Sequence, residues 1–257
     1  MIPPSDRLDV AIEITRLAAQ VSLGHFRKRL EIDTKADQSP VTAADRETEA
    51  AIRAELERRF PGEPIFGEEY GRSGSGEDLW IVDPIDGTRS FIVGLPLFGM
   101  LLGHVRGGRP WLGVIRMPAL DEVYAGLAGH GATRNGTPIR ASDCRRLDDA
   151  RLMINEVDRI AAGAPRALDR LLGAGALRRT GADCYPHALV AAGTADAVVD
   201  YGLEPYDFLP VAAVVEAAGG LMTDWAGAPL TMASDGRTVT AATPDLHAEL
   251  IALLNRP

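Results

Sequence analysis

A chain of 257 residues, 46% apolar and 5% aromatic, carries enough Ala, Gly, Leu and Val to bury a large core and reads as a mixed α and β protein, not a disordered one. Its net charge of −9, from 27 Lys and Arg against 36 Asp and Glu, argues against a general nucleic-acid surface and suits acids gathered around cations. The start, Met1-Ile2-Pro3-Pro4-Ser5-Asp6, lacks the basic flank and apolar core of a signal peptide, and Leu95 to Val105 is too short and too broken to span a bilayer, so a cytoplasmic protein is expected.

From Asp6 to about Lys28, Val10, Ile14, Leu17, Ala18 and Val21 follow a helical period. A polar linker from Glu31 to Pro40 leads to a second helix, capped by Thr42 with Asp45 three residues on and ending at Phe60 before Pro61-Gly62. Ile65-Phe66 is a brief apolar pair before Glu68 and Glu69, and Gly71 to Asp78 reads as a connecting loop. Leu79-Trp80-Ile81-Val82 then predicts a strand that delivers Asp83 and Asp86 at its carboxyl end. Gly87-Thr88 follows, able to open a helix whose N–H groups suit an anion.

Leu97 to Val105 and Trp111 to Met117 are expected strands, followed by shorter ones at Glu122 to Leu127 and Gly131 to Arg134, an antiparallel meander. From about Ala150 strands and helices alternate: strand Leu152 to Asn155, helix Pro165 to Leu172, a strand near Arg178, helix Tyr185 to Ala192, strand Ala197 to Asp200, helix Phe208 to Ala218 and strand Leu221 to Thr223. A strand at Thr238 to Ala242 and a helix at Asp245 to Leu254 close the chain. The change of pattern predicts an α+β half over 1–142 and an α/β half over 143–257 in a layered α/β architecture.

Singly, the acidic motifs are unremarkable: Thr42 and Asp45 read as capping, Glu68-Glu69 as surface, and Asp207 as an N-cap. Together they supply the parts of a two-metal phosphate-ester hydrolase, which needs carboxylates around hard cations and a group that orients the attacking water. Asp83 can bridge two ions, Asp86 serves one, the Ile85 carbonyl adds a backbone ligand, and Glu68 and Asp207 complete the shells. Thr88 and Asp45 can form a hydroxyl–carboxylate pair that takes the water's proton. His25, His104, His130, His187 and His247 lack ligand spacing, which disfavours a zinc hydrolase, and Cys144 and Cys184 are expected as buried free thiols.

Gly67-Glu68-Glu69, Asp83-Pro84-Ile85-Asp86-Gly87-Thr88, and a late Tyr206-Asp207 before a helix ending in Ala217-Ala218-Gly219-Gly220 resemble the inositol monophosphatase superfamily. The resemblance implies an α-β-α-β-α sandwich, usually dimeric, using two or three Mg²⁺ held by Glu68, Asp83, the Ile85 carbonyl, Asp86 and Asp207. It also implies water activated by Thr88 with Asp45, phosphate received at Gly87 and Thr88, and no covalent phosphoenzyme. Members acting on inositol phosphates show residues other than Arg89-Ser90-Phe91-Ile92, Tyr206 and Asp200 at these places. Gly87 to Ile92, Gly181-Ala182-Asp183-Cys184-Tyr185 and Pro205 to Val211 are instead similar to the histidinol-phosphate phosphatase branch.

Histidinol carries an ammonium and an imidazole, so Asp183 and Asp200, with Arg89 nearby, are the candidate substrate residues, and Glu204 is a weaker one. The expectation is hydrolysis of L-histidinol phosphate, a small-molecule ester, with no nucleic acid or membrane as partner. An inositol-1-phosphatase or broader sugar-phosphate phosphatase is the nearest rival, and a regulatory binding module on the same fold is the non-enzymatic one.

Overall fold

The computed structural model describes residues 4–29, 32–34 and 40–256. Helix α1 (Pro4–His25) leads to a two-stranded ribbon, β1 (Ile32–Thr34) and β2 (Pro40–Thr42), and then to α2 (Ala43–Arg59). Eight strands follow: β3 (Ile65–Gly67), β4 (Gly71–Ser73), β5 (Leu79–Asp86), β6 (Gly99–Arg106), β7 (Arg109–Met117), β8 (Glu122–Leu127), β9 (Gly131–Arg134) and β10 (Thr137–Ile139). The one-turn helix α3 (Thr88–Ile92) sits between β5 and β6. These strands form one sheet in the order β10-β9-β8-β7-β6-β5-β3-β4, antiparallel except where β3 runs parallel to β5.

The remaining chain alternates β11 (Arg151–Ile154), α4 (Val157–Gly163), α5 (Pro165–Leu172), β12 (Leu177–Thr180), α6 (Tyr185–Ala191), β13 (Ala197–Asp200), α7 (Pro205–Ala217), β14 (Leu221–Asp224), β15 (Thr238–Ala241) and α8 (Pro244–Leu254). Its sheet has the order β12-β11-β13-β15-β14, with β11 parallel to both its neighbours and β15 antiparallel to both of its own.

Residue parity explains the layers. On β5, Leu79 and Ile81 join a core with Phe208, Val211 and Val215 of α7, while Trp80 and Val82 join Ile14 of α1 and Ile52 and Leu56 of α2. Both faces of the large sheet are therefore covered, which is why β5 and β6 are buried along all but their last residue and carry apolar residues on both faces. The smaller sheet is covered in the same way, with Val190 of α6 against Val198 on one side and Leu168 of α5 and Leu250 of α8 against Leu152 and Val199 on the other. The result is an α-β-α-β-α stack in which α6 and α7 form the middle layer.

Three glycines let that middle layer approach. Gly103 of β6 pairs across the sheet with Gly113 of β7, and Gly113 with Gly126 of β8, so the three form one furrow. α7 lies in it: a Cβ at Gly103 would stand 3.0 Å from the Cα of Pro210, one at Gly126 would stand 2.7 Å from the Cα of Val214, and one at Gly113 would overlap the Pro210 carbonyl oxygen. The furrow thus sets how closely α7 approaches the large sheet, and Asp207 is in the first turn of that helix.

Several elements differ from the sequence expectation. Residues 31 and 35–39 of the expected linker lie outside the described residues, but 32–34 pair with 40–42 as a ribbon. The loop after Gly71 begins with β4, paired back onto β3. β5 does not stop at Val82 but continues through both acids to Asp86 over an irregularity between Asp83 and Asp86, because β6 supplies a partner for the whole length. Strand β10 and helix α4 have too little periodicity to be read from three and seven residues, and β11 ends one residue before Asn155. α7 starts at Pro205, not Phe208: Glu204 is its N-cap and Asp207 occupies the third helical position, in a reciprocal capping box. Among the described residues no helix is long and apolar enough to cross a membrane.

Candidate active site

The carboxyl end of β5, the turn after β3 and the first turn of α7 converge on one cavity of about 900 Å³, its mouth included. Asp83 is buried, and its Oδ1 accepts the Ile85 N–H at 3.0 Å, which folds the chain back around Pro84 so that Asp86 also faces the cavity. Asp207 arrives from α7, its Oδ2 accepting the Glu204 N–H at 2.8 Å. One carboxylate oxygen from each of Asp83, Asp86 and Asp207 lies within 4.8 Å of the others. Glu68 lines the same cavity, as does Ile85.

This crowding is electrostatically costly. Burial, then the charges of Glu68, Asp86 and Asp207, push Asp83 well above the usual carboxylate range. Asp207 is raised by burial and then by Asp86 and Glu68, and Asp86 is pushed up to about 8 by burial and then by Asp183. Seven carboxylates and only two arginines line the cavity, so the lining is short of positive charge. An all-oxygen donor set with that deficit fits a hard divalent cation such as Mg²⁺ and does not fit zinc, which favours nitrogen and sulfur. Asp86 is further fixed by the Cys184 backbone N–H, which donates to its Oδ2 at 2.6 Å. Cys184 itself is buried, and burial pushes its thiol well up, so it is inert packing.

The hydroxyl–carboxylate pair forms. Thr88 Oγ1 stands 3.2 Å from Asp45 Oδ1 and 3.2 Å from the Ile85 carbonyl oxygen. Asp45 is wholly buried, its other oxygen accepting the Thr42 N–H at 2.8 Å and the Thr42 hydroxyl at 2.7 Å. The capping expected of Thr42 and Asp45 is therefore present and uses only one carboxylate oxygen, leaving Oδ1 for Thr88. Gly87 opens α3 with φ +81, a conformation that suits glycine.

The substrate-side candidates line the same cavity, next to the acidic cluster. Gly181, Ala182 and Asp183 stand in succession at φ +77, +93 and +51, and the two non-glycine residues there store on the order of 1–3 kcal/mol each. Three bonds hold them: Ser90 Oγ donates to Asp183 Oδ2 at 2.6 Å, Asn155 Nδ2 to the Asp183 carbonyl at 2.8 Å, and the next amide to Asp86. Gly87 makes room, since a Cβ there would meet the Asp183 carboxyl at 2.5 Å.

Asp200 is only 2% exposed and does not face solvent. It lines the cavity, its Oδ1 accepting the Tyr201 N–H at 2.8 Å and its Oδ2 the Asn155 amide at 2.8 Å, with His187 Nε2 at 3.2 Å from the same oxygen. Arg89 is at the mouth, 3.8 Å from Glu156 and 3.6 Å from Asp158, and Glu204 caps α7. The sequence offered no signal for Asn155, Glu156, Arg159 or His187, all of which line the cavity. They come from the ends of β11, α4 and α6, and only the fold joins them; the Gly at 181 was the single local hint of an unusual backbone there.

A model of the inositol monophosphatase family matches residues 4–256. A histidinol-phosphatase of Chlorobaculum parvum is 38% identical over 251 residues, 96% of either chain. A fructose-1,6-bisphosphatase/inositol-1-monophosphatase of Thermotoga maritima is 34% identical over 86% of each. The solved inositol monophosphatase of Zymomonas mobilis superposes with a TM-score of 0.90 at 36% identity, covering 100% of both chains. With the layered fold, the acidic cavity and these matches in agreement, the chain belongs to the inositol monophosphatase family of phosphatases.

Proposed function

We propose that the protein is a Mg²⁺-dependent phosphomonoesterase that hydrolyses L-histidinol phosphate to L-histidinol and phosphate. The observation that carries the choice of ester is the acidic wall: Asp183 and Asp200 line the same cavity as the metal-side carboxylates and add to its negative charge. A wall of this sign favours an ammonium and an imidazole over a neutral polyol. The Chlorobaculum parvum histidinol-phosphatase, at 38% identity, supports the same reading. The bifunctional name of the Thermotoga maritima relative supports the second one, an inositol-1-phosphate or sugar-phosphate phosphatase.

Glu68, Asp83, Asp86, Asp207 and the Ile85 carbonyl hold the cations. Once bound, Mg²⁺ supplies Lewis-acid charge that lowers the pKa of neighbouring water and neutralises the phosphate. The chain's own residues do the rest. Thr88 Oγ1 donates to Asp45, so its lone pairs face the attacking water and accept its proton as the hydroxyl proton moves to Asp45. The peptide groups of Gly87 and Thr88 receive a phosphate oxygen, while Asp183, Asp200 and Arg89 orient the leaving alcohol. Water adds to phosphorus in line as the ester P–O bond breaks.

Phosphate release measured in parallel on L-histidinol phosphate and inositol 1-phosphate tests the substrate; a preference for the inositol ester overturns it. Asp183→Asn keeps the shape that Gly87 and Ser90 pack against, yet removes the charge. It is expected to lower kcat/KM for L-histidinol phosphate by about tenfold to a hundredfold, the worth of one charged hydrogen bond, and to change that for inositol 1-phosphate by less than about threefold. Thr88→Val removes the relay hydroxyl and keeps the side-chain shape. A loss of about 10²-fold in kcat with KM little changed is expected, and an unchanged kcat would remove Thr88 from the proton path.

A further inference from the structure

The face of α2 that carries Asp45 continues with Glu49 and Arg53, one and two turns on, so the three form a row along the helix. Glu49 is wholly buried. Its Oε2 accepts the Glu69 N–H at 2.7 Å, and its Oε1 takes the Arg53 Nε–H at 2.7 Å with the Tyr70 N–H at 3.4 Å. The Arg53 guanidinium reaches past it to the Gly71 carbonyl at 2.5 Å and to Ser73 Oγ at 3.2 Å. Gly67 has no Cβ, and one there would overlap the Glu49 carboxylate, so the end of β3 rests directly on that charge.

A charge this deep is a poor device for stability, since desolvating it offsets most of what the ion pair returns. Its partners explain it better. The amides it binds are those of the two residues after Glu68, while the Glu68 N–H is held from the other side by the Val82 carbonyl at 3.1 Å, one residue before Asp83. Glu68 is thus clamped between β5 and Glu49, and the Glu68 charge is felt by Asp83.

We infer that Glu49, backed by Arg53, is the positioning residue that sets Glu68 against Asp83, so that one row of α2 serves both the proton relay, through Asp45, and the metal side. The inference rests on the reading of Glu68 as a metal ligand. Outer-shell partners of ligands are typically worth 10- to 100-fold in metal affinity.

The test is calorimetric titration of the whole protein with Mn²⁺ alone, together with amide hydrogen exchange of the metal-free protein, on the parent, Glu49→Gln, Arg53→Lys and Glu68→Gln. Glu49→Gln is expected to weaken Mn²⁺ binding about tenfold or more and to speed exchange at Glu69 and Tyr70 while α7 keeps its protection. Its half-saturating Mg²⁺ rises, and excess Mg²⁺ returns the rate to within about threefold, which a merely structural defect would not allow. Arg53→Lys shifts both readouts in the same direction by about threefold, and it carries the test should Glu49→Gln not fold. Mn²⁺ affinity within twofold of the parent in both variants, with Glu68→Gln impaired, overturns the positioning role alone. Parent-like binding by Glu68→Gln overturns the ligand reading and the inference together.

Discussion

Asp86→Asn is expected to lower Mg²⁺-supported phosphate release by about 10³-fold or more, at least about 4 kcal/mol of transition-state free energy, with the fold intact. The amide is isosteric and its oxygen still accepts the Cys184 N–H, so the loop at 181–184 keeps its anchor. What disappears is one charge of the carboxylate set, with Asp83 and Asp207, that we propose holds the cations. Near-normal turnover would remove Asp86 from that set. In the metal-free protein the same substitution acts in the opposite direction on stability. Asp86, at about 8 in the folded chain, binds a proton that the unfolded chain releases near pH 4. Its favourable contribution is complete below about pH 4 and is lost as pH rises to about 8. In excess chelator the parent should therefore lose more thermal stability between pH 5 and pH 8.5 than Asp86→Asn does. Equal losses in the two proteins would show that the folded-state proton is not held there.

Gly113→Ala is expected to destabilise the protein by about 2–4 kcal/mol, lowering Tm by roughly 5–12 °C, although it adds a single methyl group. The new Cβ would overlap the Pro210 carbonyl and meet the Ala213 Cβ at 3.0 Å, and neither a backbone carbonyl nor a β-carbon can rotate away. α7 has to lift off the furrow, and Asp207 moves with it. Activity should therefore fall even in molecules that remain folded, with the half-saturating Mg²⁺ raised. Alanine at Gly24 of α1, where φ is not positive and a Cβ would meet nothing within 4 Å, serves as the comparison for an added methyl without a clash. A Tm for Gly113→Ala within about 1 °C of the parent would show that the furrow is not tightly filled.

Much of the acidic cluster was legible because its geometry is local. Asp83, Pro84, Ile85, Asp86, Gly87 and Thr88 are contiguous, and a strand end, a bend and a glycine in a left-handed conformation are dictated by those residue types wherever they occur. The Thr42–Asp45 box is likewise a matter of three residues' spacing, and it formed. Helix α7 was legible as a helix but not in phase: Phe208 was the first clearly apolar residue, whereas Pro205 at the first helical position and Glu204 as its cap set the true start.

Local pattern was enough for the strand that carries two acids at its end, the capped helix that carries Asp45, and the alternation of strands and helices in the second half, because propensity, hydrophobic period and capping act over a few residues; the order of the layers came only from the family resemblance. The tertiary structure alone decided which distant groups meet. It brought Cys184 to Asp86 across 98 residues and Asn155 to Asp200 across 45, and it turned a glycine on each of three strands into the bed of α7. Such contacts depend on register and close packing between elements, which no local pattern encodes. They are also what fixes the acidic wall on which the choice of ester depends.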